Sequence, residues 1–336
     1  MRIAVDAMGG DLGSELPVQG AIAALKEREG FEIVLLGPSD FLKEQVSAIV
    51  GDSAEIRKRL FFEHATEVIG MDESPVEAIR KKKDSTVMVG FELVRNKKAD
   101  AVISAGNSGA TMAAAIRKLG RLKGISRPGI ASFFPTLKEP VMLMDIGANV
   151  DCRPQHLLQF AIMAASCSSL LNGIDRPRIG LLSIGEEASK GNALIKETHS
   201  LLTSGSLNFI GNVEGRDVYK GDVDVIICDG FVGNISLKIS EGLAEAAMQM
   251  LKAEILKSWR AKIGYLLIKD AFDRFRGRLD YAEYGGAPLL GINGIGIICH
   301  GTSDATAIQN AVFVAADMVQ HRVNDGIIRA LAEYTA

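Results

Sequence analysis

The sequence predicts an α/β protein in which a doubly wound, mostly parallel sheet lies between layers of helices, as a single domain over residues 1–336. Three observations support this fold class. Short apolar runs rich in β-branched residues alternate with segments of helical periodicity along the chain. Most of these runs end in a loop of Gly, Asn, Asp or Ser. The 336 residues include 35 glycines but only 6% aromatic residues, which is typical of many tight turns around small aliphatic side chains.

The predicted strands and helices follow one another in regular order. Apolar runs that suit buried strands begin near residues 2, 31, 60, 101, 141, 179, 209, 225 and 295. A helix is expected over residues 16–29, with Pro17 near its start. Further helices are expected from residue 38, within residues 71–86, after Gly109, from about Pro154, and after residue 304.

Residues 224–242 show this pattern most clearly. Residues 225–227 predict a buried strand, a tight loop is expected through Gly233 and Asn234, and helical spacing resumes at Ser236, which suits an N-cap. The N–H groups and the dipole at such a helix start favour an anion. Taken alone, the stretch fits an ordinary βα turn better than an anion site; its recurrence along the chain favours the anion site.

Loops of similar composition recur at the ends of the predicted strands. Because the carboxyl ends of parallel strands meet at one edge of a sheet, where ligands bind, we expect a single rim dense in N–H donors. None of the loops matches the dinucleotide-binding or P-loop motif, so a small anion suits this rim better than a nucleotide. The six loops are residues 6–11, 104–109, 145–151, 183–192, 229–234 and 300–304.

Composition disfavours several classes of protein and site. The net charge of −3 lacks the basic excess of nucleic-acid-binding proteins, and no apolar run reaches the roughly 18 residues of a membrane span. The four cysteines are far apart and have no metal-like pairing with histidine, so we expect reduced thiols and no metal site. A strand begins directly after Met1, so we expect no signal peptide and a cytoplasmic protein.

Residues 248–275 form the most unusual segment of the chain. Apolar residues recur there at helical spacing, and residues 252–278 contain eight basic and three acidic residues, a local excess of five positive charges. We expect a protruding, basic amphipathic helical segment over residues 244–280, broken at Gly264 into a hairpin with residues 265–268 at its tip. Such a segment is typical of a surface that binds membrane or a partner protein, although an ordinary core or dimer helix has the same spacing. The residues expected at this surface are Trp259, Arg260, Lys262, Ile263, Leu266 and Leu267.

Several motifs together resemble those of one family, the phosphate acyltransferase (PlsX) family of bacterial phospholipid synthesis. They follow the family's order over nearly the whole chain, at residues 6–11, 104–110, 185–192, 209–214, 229–234 and 284–301. The chain departs from the family at Leu12, where a histidine is common. The resemblance implies a fold like that of phosphotransacetylases and of isocitrate and isopropylmalate dehydrogenases.

The resemblance also implies an activity. Members of the family move a long-chain fatty acyl group from acyl carrier protein to inorganic phosphate without a cofactor. The resulting acyl phosphate serves a downstream glycerol-phosphate acyltransferase. For this chain the resemblance therefore implies a cytoplasmic homodimer that associates peripherally with the membrane surface and has no nucleic-acid partner.

Direct attack of phosphate on a thioester makes modest demands on the protein. Phosphate near neutral pH is substantially a dianion, and the leaving thiol has a reference pKa of about 8.5. The site must therefore mainly hold phosphate and stabilise the developing oxyanion. The resemblance implies Lys190 and Asn234 as the catalytic pair. The residues expected to bind phosphate or substrate are Asp6, Gly9, Gly10, Asn107, Ser108, Gly109, Asn149, Gly191, Asn192, Gly233, His300, Gly301 and Ser303.

The sequence leaves alternatives open. A covalent route through Cys228 or Cys299 is disfavoured because each thiol lies in an apolar run, which raises its pKa. The chain also fits a phosphotransacetylase-like enzyme that uses coenzyme A thioesters, or a non-catalytic membrane scaffold. A lysine in a loop is commonly solvated, and an asparagine in a glycine-rich loop is commonly a turn residue.

Overall fold

The computed structural model describes residues 1–51, 53–279 and 284–335, within which eleven strands form one sheet. Each apolar run named above contributes a strand. The strands are β1 (Arg2–Asp6), β2 (Glu32–Gly37), β3 (Leu60–His64), β4 (Ala101–Ser104), β5 (Gly129–Phe134), β6 (Val141–Met144), β7 (Ile179–Leu182), β8 (Phe209–Val213), β9 (Val225–Ile227), β10 (Ala287–Leu290) and β11 (Ile295–Ile298). Their order in the sheet is β3-β2-β1-β4-β11-β10-β5-β6-β9-β7-β8.

Helices connect most of the strands and cover both faces of the sheet. They are α1 (Glu15–Glu27), α2 (Ser39–Val50), α3 (Ala54–Arg59), α4 (Pro75–Lys81), α5 (Thr86–Arg95), α6 (Ser108–Leu119), α7 (Pro154–Asn172), α8 (Ala193–Thr203), α9 (Gly230–Lys257), α10 (Trp259–Leu279), α11 (Ala305–Gln320) and α12 (Val323–Thr335). Alternate residues of the central strands pack into different layers: Ile3 and Val5 join one apolar cluster, whereas Ala4 joins the other. The predicted α/β class with a doubly wound sheet is confirmed.

The direction of the strands divides the sheet into two sets. The first set, β3, β2, β1, β4 and β11, is parallel throughout, and so is the second set, β6, β9, β7 and β8. Strands β10 and β5 lie between the sets, and the three pairings β11–β10, β10–β5 and β5–β6 are antiparallel. The sheet is therefore mostly parallel, as predicted, but the second set runs opposite to the first.

This reversal corrects the expectation of a single rim. The carboxyl ends of the two sets lie at opposite edges of the sheet, so the six loops separate into two groups of three. The first loop group contains residues 6–11, 104–109 and 300–304, and the second loop group contains residues 145–151, 183–192 and 229–234. The change of strand direction was not predicted, because it depends on β5 and β10, two strands that the apolar pattern did not indicate. Strand β10 contains Pro288, a residue that weakens a strand pattern.

Helix α9 begins earlier than the sequence indicated. Its N-cap is Asp229, whose carboxylate accepts hydrogen bonds from the N–H groups of Phe231 and Val232, each at 3.0 Å. The residues expected in a tight loop, Gly233 and Asn234, therefore lie inside the first turns of the helix, and Ser236 is not the N-cap. Aspartate caps a helix as well as serine does, and it precedes Ser236 in the chain.

The basic segment forms parts of two helices that meet at Ser258. This residue has an extended conformation (φ −127°, ψ 132°), and its carbonyl accepts the Lys262 N–H at 3.1 Å at the start of α10. The expected break at Gly264 is wrong, because Gly264 lies within α10. Residue 280, the last of the predicted segment, lies outside the described residues. No helix among the described residues is long and apolar enough to cross a membrane.

Candidate functional site

Asp6, the last residue of β1, organises the first loop group. Its buried carboxylate accepts hydrogen bonds from the N–H groups of Met8 (3.1 Å) and Gly9 (3.0 Å) and from the Ser104 hydroxyl (2.7 Å). Burial raises the pKa of the Asp6 carboxyl, and these donors oppose the rise. A Cβ atom on Gly9 would lie 2.6 Å from the Asp6 carboxylate. Asp6 and Gly9 therefore contact each other, and their expected contact with phosphate or substrate stays a prediction.

Asn107 also has its polar atoms engaged within the protein. Its Oδ1 accepts the Ala110 N–H at 3.0 Å and so caps α6. Its Nδ2 donates to three carbonyl groups of residues 70–73, at 3.0 to 3.3 Å. The side chain therefore holds this segment against α6, and the expected contact of Asn107 with phosphate or substrate stays a prediction. Ser108 and Gly109 follow in the first turn of α6, where Ser108 is exposed.

The loop after β11 joins the loop after β1. The Asp11 N–H donates to the Gly301 carbonyl at 2.7 Å, and a Cβ atom on Gly10 would lie 3.1 Å from the same oxygen. Gly10 has φ +104°, a conformation that favours glycine. Ser303 is buried and donates its N–H to the His300 carbonyl at 2.9 Å. Of these residues, His300 has an exposed side chain.

Asp145, directly after β6, plays the corresponding part in the second loop group. Its buried carboxylate accepts the N–H groups of Gly147, Ala148 and Asn149 at distances between 2.8 and 3.1 Å. Burial raises the pKa of the Asp145 carboxyl, and these donors oppose the rise. The Asn149 side-chain amide donates to Asp145 and to the Pro128 carbonyl, each at 2.8 Å. Both hydrogens of the Asn149 amide thus support the loop, and its expected contact with phosphate or substrate stays a prediction.

The start of α9 packs tightly against this loop. The Gly233 N–H donates to the Asp229 carbonyl at 2.9 Å, within the first turn of α9, and the expected anion contact at Gly233 stays a prediction. A Cβ atom on Gly233 would lie only 1.9 Å from the Asp145 carbonyl oxygen, which explains why glycine stands there. The next residue, Asn234, is exposed, and its side chain lies beside Gly147.

Lys190 ends a short turn after β7. Its N–H donates to the Glu187 carbonyl at 2.9 Å, and its Nζ lies 4.0 Å from the Glu187 carboxylate. Its side chain is 49% exposed. The stem of the lysine lies over Gly185, where a Cβ atom would approach its Cγ to 2.8 Å. Gly191 has φ +92°, and Asn192 caps α8 by accepting an N–H at 3.0 Å.

The two residues implied as the catalytic pair lie at the same edge of the sheet. Strands β6, β9 and β7 are parallel neighbours, so the loops that follow them emerge side by side. Lys190 follows β7 and Asn234 follows β9. This edge therefore carries both an exposed ammonium group and an exposed amide, whereas the predicted residues of the first loop group lie at the opposite edge.

Sequence reasoning did not single out two polar side chains beneath the Lys190 turn. Asn212, buried in β8, donates its Nδ2 to the Glu187 carbonyl at 2.9 Å, the same oxygen that accepts the Lys190 N–H. The Ser183 hydroxyl lies below Gly191, where a Cβ atom would be 3.1 Å away. Ser183 Oγ and Asn212 Oδ1 are buried without a hydrogen-bond partner among the described residues. The signal in the sequence was Asn212 within the motif of residues 209–214.

Substitutions of Asn212 and Ser183 are expected to have different effects on the free energy of unfolding. Asn212→Ala removes the hydrogen bond to Glu187 and should lower the free energy of unfolding by about 1–3 kcal/mol. Ser183→Ala removes a hydroxyl that lacks a described partner and should leave the free energy of unfolding unchanged or slightly higher. Urea denaturation of both variants measures the difference. A Ser183→Ala variant as unstable as Asn212→Ala would contradict this account of Ser183.

The cysteine thiols are poorly suited to act as nucleophiles. Burial raises the pKa of Cys299 to about 12 and that of Cys167 to about 12. Burial, reinforced by the charges of Asp145 and Asp229, raises the pKa of Cys228 well above its usual value. The thiolate fraction at neutral pH is correspondingly small. Among the described residues, no cluster of three or more His, Cys, Asp or Glu side chains is arranged to hold a metal ion.

The residues expected at a membrane or carrier-protein surface lie on α10 and are solvent-exposed. Trp259 and Leu266 are each 68% exposed, Leu267 is 83% exposed, and Ile263 is also exposed. The Arg260 guanidinium lies 5.5 Å from the centre of the Trp259 ring. The helix thus presents large apolar side chains among basic ones, including Lys262.

Solved structures show which proteins share this fold. A phosphotransacetylase from Streptococcus pyogenes superposes with a TM-score of 0.63 at 19% identity, over 95% of this chain and 94% of that one. A branched-chain phosphotransacylase from Enterococcus faecalis superposes with a TM-score of 0.58 at 13% identity, over 96% of this chain and 99% of that one. The expected likeness to the phosphotransacetylase fold is confirmed.

Sequence comparison shows the family. The family model described as "Fatty acid synthesis protein" matches residues 1–325. The phosphate acyltransferase of Pelobacter propionicus is 54% identical over 99% of this chain and 95% of its own length. That of Geotalea uraniireducens is 53% identical over the same shares. The chain belongs to the phosphate acyltransferase family and is an enzyme, as the motifs predicted.

Proposed function

We propose that this enzyme transfers a long-chain fatty acyl group from acyl carrier protein to inorganic phosphate, which gives an acyl phosphate for phospholipid synthesis. The observation that carries the proposal is the placement of Lys190 and Asn234 after two neighbouring parallel strands, Lys190 in the loop after β7 and Asn234 in the first turns of the helix after β9. The motifs that include them belong to a family whose curated members are named phosphate acyltransferases.

The chemistry proceeds by direct attack. An oxygen of phosphate forms a bond to the thioester carbonyl carbon, and the carbonyl oxygen gains negative charge. The carbon–sulfur bond then breaks, the carbonyl re-forms, and the thiolate leaves to take a proton from solvent. The Lys190 ammonium group neutralises charge on phosphate or on the oxyanion, while the Asn234 amide donates a hydrogen bond. The raised thiol pKa values of Cys228 and Cys299 support this route over an acyl-cysteine intermediate.

A basic surface suits the proposed acyl donor. Residues 252–278 carry an excess of five positive charges within a chain of net charge −3, and acyl carrier protein is acidic. Opposite charges accelerate encounter and orient the partner. We propose that Arg260 and Lys262 on α10 take part in this docking. The product, an activated acyl group, then passes to a glycerol-phosphate acyltransferase.

We also propose that the same segment binds the membrane surface and that the enzyme acts as a homodimer. The exposed apolar residues of α10 suit insertion at the level of lipid headgroups. On α9, the exposed apolar side chains of Ile239, Leu243 and Met250 suit burial against a second copy. These proposals give residues 244–280 a docking role within the enzyme.

Substitutions on α10 test the membrane proposal. Leu266→Glu combined with Leu267→Glu should reduce flotation with anionic liposomes, because two charges replace the apolar side chains that enter the interface. Val76→Glu is the control, since Val76 is a large apolar side chain that is 59% exposed but lies on α4. Equal flotation of the double variant and the control would show that these leucines are not the anchor.

Acyl-transfer assays test the proposed function. The enzyme is mixed with phosphate and either a long-chain acyl carrier protein thioester or the corresponding coenzyme A thioester, and acyl phosphate is trapped with hydroxylamine. We expect a higher kcat/KM with the carrier protein. A higher value with coenzyme A would favour a phosphotransacetylase-like activity, and no phosphate-dependent product with either donor would favour a scaffold. Mass spectrometry that detects an acyl-cysteine would overturn direct attack.

A further inference from the structure

Helix α9 connects the two loop groups. It begins at Gly230 in the second loop group, and Lys238, about 12 Å further along by helical rise, reaches the first loop group. There its Nζ lies 3.0 Å from Nε2 of His300. Asn234 and Lys238 are four residues apart and therefore share one face of α9. The exposed polar face that begins at Asn234 thus continues to the loop after β11.

The contact with His300 orients the Lys238 ammonium group. A protonated lysine only donates hydrogen bonds, so Nε2 of His300 accepts from Lys238. The other ring nitrogen, Nδ1, faces Thr302, whose hydroxyl lies 2.8 Å away and whose backbone N–H donates to it at 3.3 Å. Of the three ammonium hydrogens, one meets His300 and another meets the Glu241 carboxylate at 2.9 Å. Among the described residues, the third hydrogen remains for a ligand.

We propose that Lys238 is a further substrate-binding residue, held by His300, which binds a phosphate group on the face of α9 that carries Asn234. This inference rests on the proposed function. His300 follows β11 and lies at the other edge of the sheet from Asn234. It acts on the site through its contact with Lys238, because α9 spans the distance between the two edges. A phosphate dianion carries more charge than Glu241 and competes with it for the ammonium group.

Two sources of the phosphate group have the same chemistry. One is inorganic phosphate, the nucleophile. The other is the phosphodiester of the phosphopantetheine arm that carries the acyl group on the donor. Both accept charge-assisted hydrogen bonds from an ammonium group, so the experiment must separate them.

Steady-state kinetics of Lys238→Ala and Lys238→Arg provide the test. KM is measured for phosphate at saturating acyl carrier protein thioester and for the thioester at saturating phosphate. We expect Lys238→Ala to raise one KM about tenfold, the loss of one hydrogen bond to a charged group, while Lys238→Arg restores part of it. Lys43→Ala is the matched control, because Lys43 also pairs with a helical carboxylate three residues away, Asp40 at 3.1 Å, but lies on α2.

The outcomes distinguish the sources. A rise in the KM for phosphate assigns Lys238 to the nucleophile. A rise confined to the carrier protein thioester, absent with an acyl pantetheine thioester that lacks phosphate, assigns it to the arm. If both KM values stay at those of the control, Lys238 does not bind substrate. A wild-type enzyme that forms no acyl phosphate would instead contradict the proposed function itself.

Discussion

Lys190→Met is expected to lower kcat by about 100- to 1000-fold, the effect of removing one group that stabilises developing negative charge. Methionine keeps much of the length of the side chain and its packing over Gly185 but lacks the ammonium group. Lys190→Arg should retain more activity than Lys190→Met, because the charge remains while its position changes. Acyl phosphate formation at saturating phosphate and thioester measures these effects.

Two further measurements test whether the loss of activity comes from the missing ammonium group and not from loss of stability. Because the Lys190 side chain is about half exposed and its ion pair with Glu187 spans 4.0 Å, the melting temperature of Lys190→Met should match that of the wild type. Lys196→Met is the control, since Lys196 is exposed on α8, the helix that follows the Lys190 turn. Full activity in Lys190→Met would exclude the proposed role of the ammonium group.

Gly233→Ala is expected to destabilise the enzyme by about 3 kcal/mol and to abolish most of its activity. The added methyl group would lie 1.9 Å from the Asp145 carbonyl oxygen and 3.0 Å from the Cys228 sulfur. The closest atoms belong to the Asp145 backbone, which cannot rotate away as a flexible side chain can, so α9 must shift. Asn234 would move with the helix, away from Gly147. Urea denaturation and acyl-transfer rates measure the two losses.

A second glycine-to-alanine substitution in α9 is a control that should change stability in the opposite direction. Gly242 also lies in α9, and a Cβ atom there would meet nothing within 4 Å. Gly242→Ala should therefore raise the free energy of unfolding by about 0.5–1 kcal/mol, because alanine loses less backbone freedom than glycine in a helix. If the two alanine variants had the same stability, the close approach of α9 to Asp145 would not be what requires glycine at position 233.

Features that depend on a few neighbouring residues were predicted correctly from the sequence. Apolar runs located nine strands, since a buried strand needs a short stretch of β-branched residues. The motifs indicated the family, which the comparisons confirm. By contrast, the sequence predicts that Asn107 and Asn192 bind a ligand, whereas in the structure their side chains cap α6 and α8. An asparagine at a helix start can bond either to a ligand or to its own helix, and only the positions of the neighbouring N–H groups decide between them.

The sequence by itself determined the class of fold, the family and the motifs that contain Lys190 and Asn234, because these depend on residue type and order. Only the tertiary structure decided which loops share an edge. That outcome depends on the antiparallel pairing of β5 and β10, a non-local property that periodicity does not encode. The tertiary structure also decided what residues 224–242 form. Helix α9 starts at Gly230 because Asp229 caps it, and the face of α9 that carries Asn234 also carries Lys238, which contacts His300.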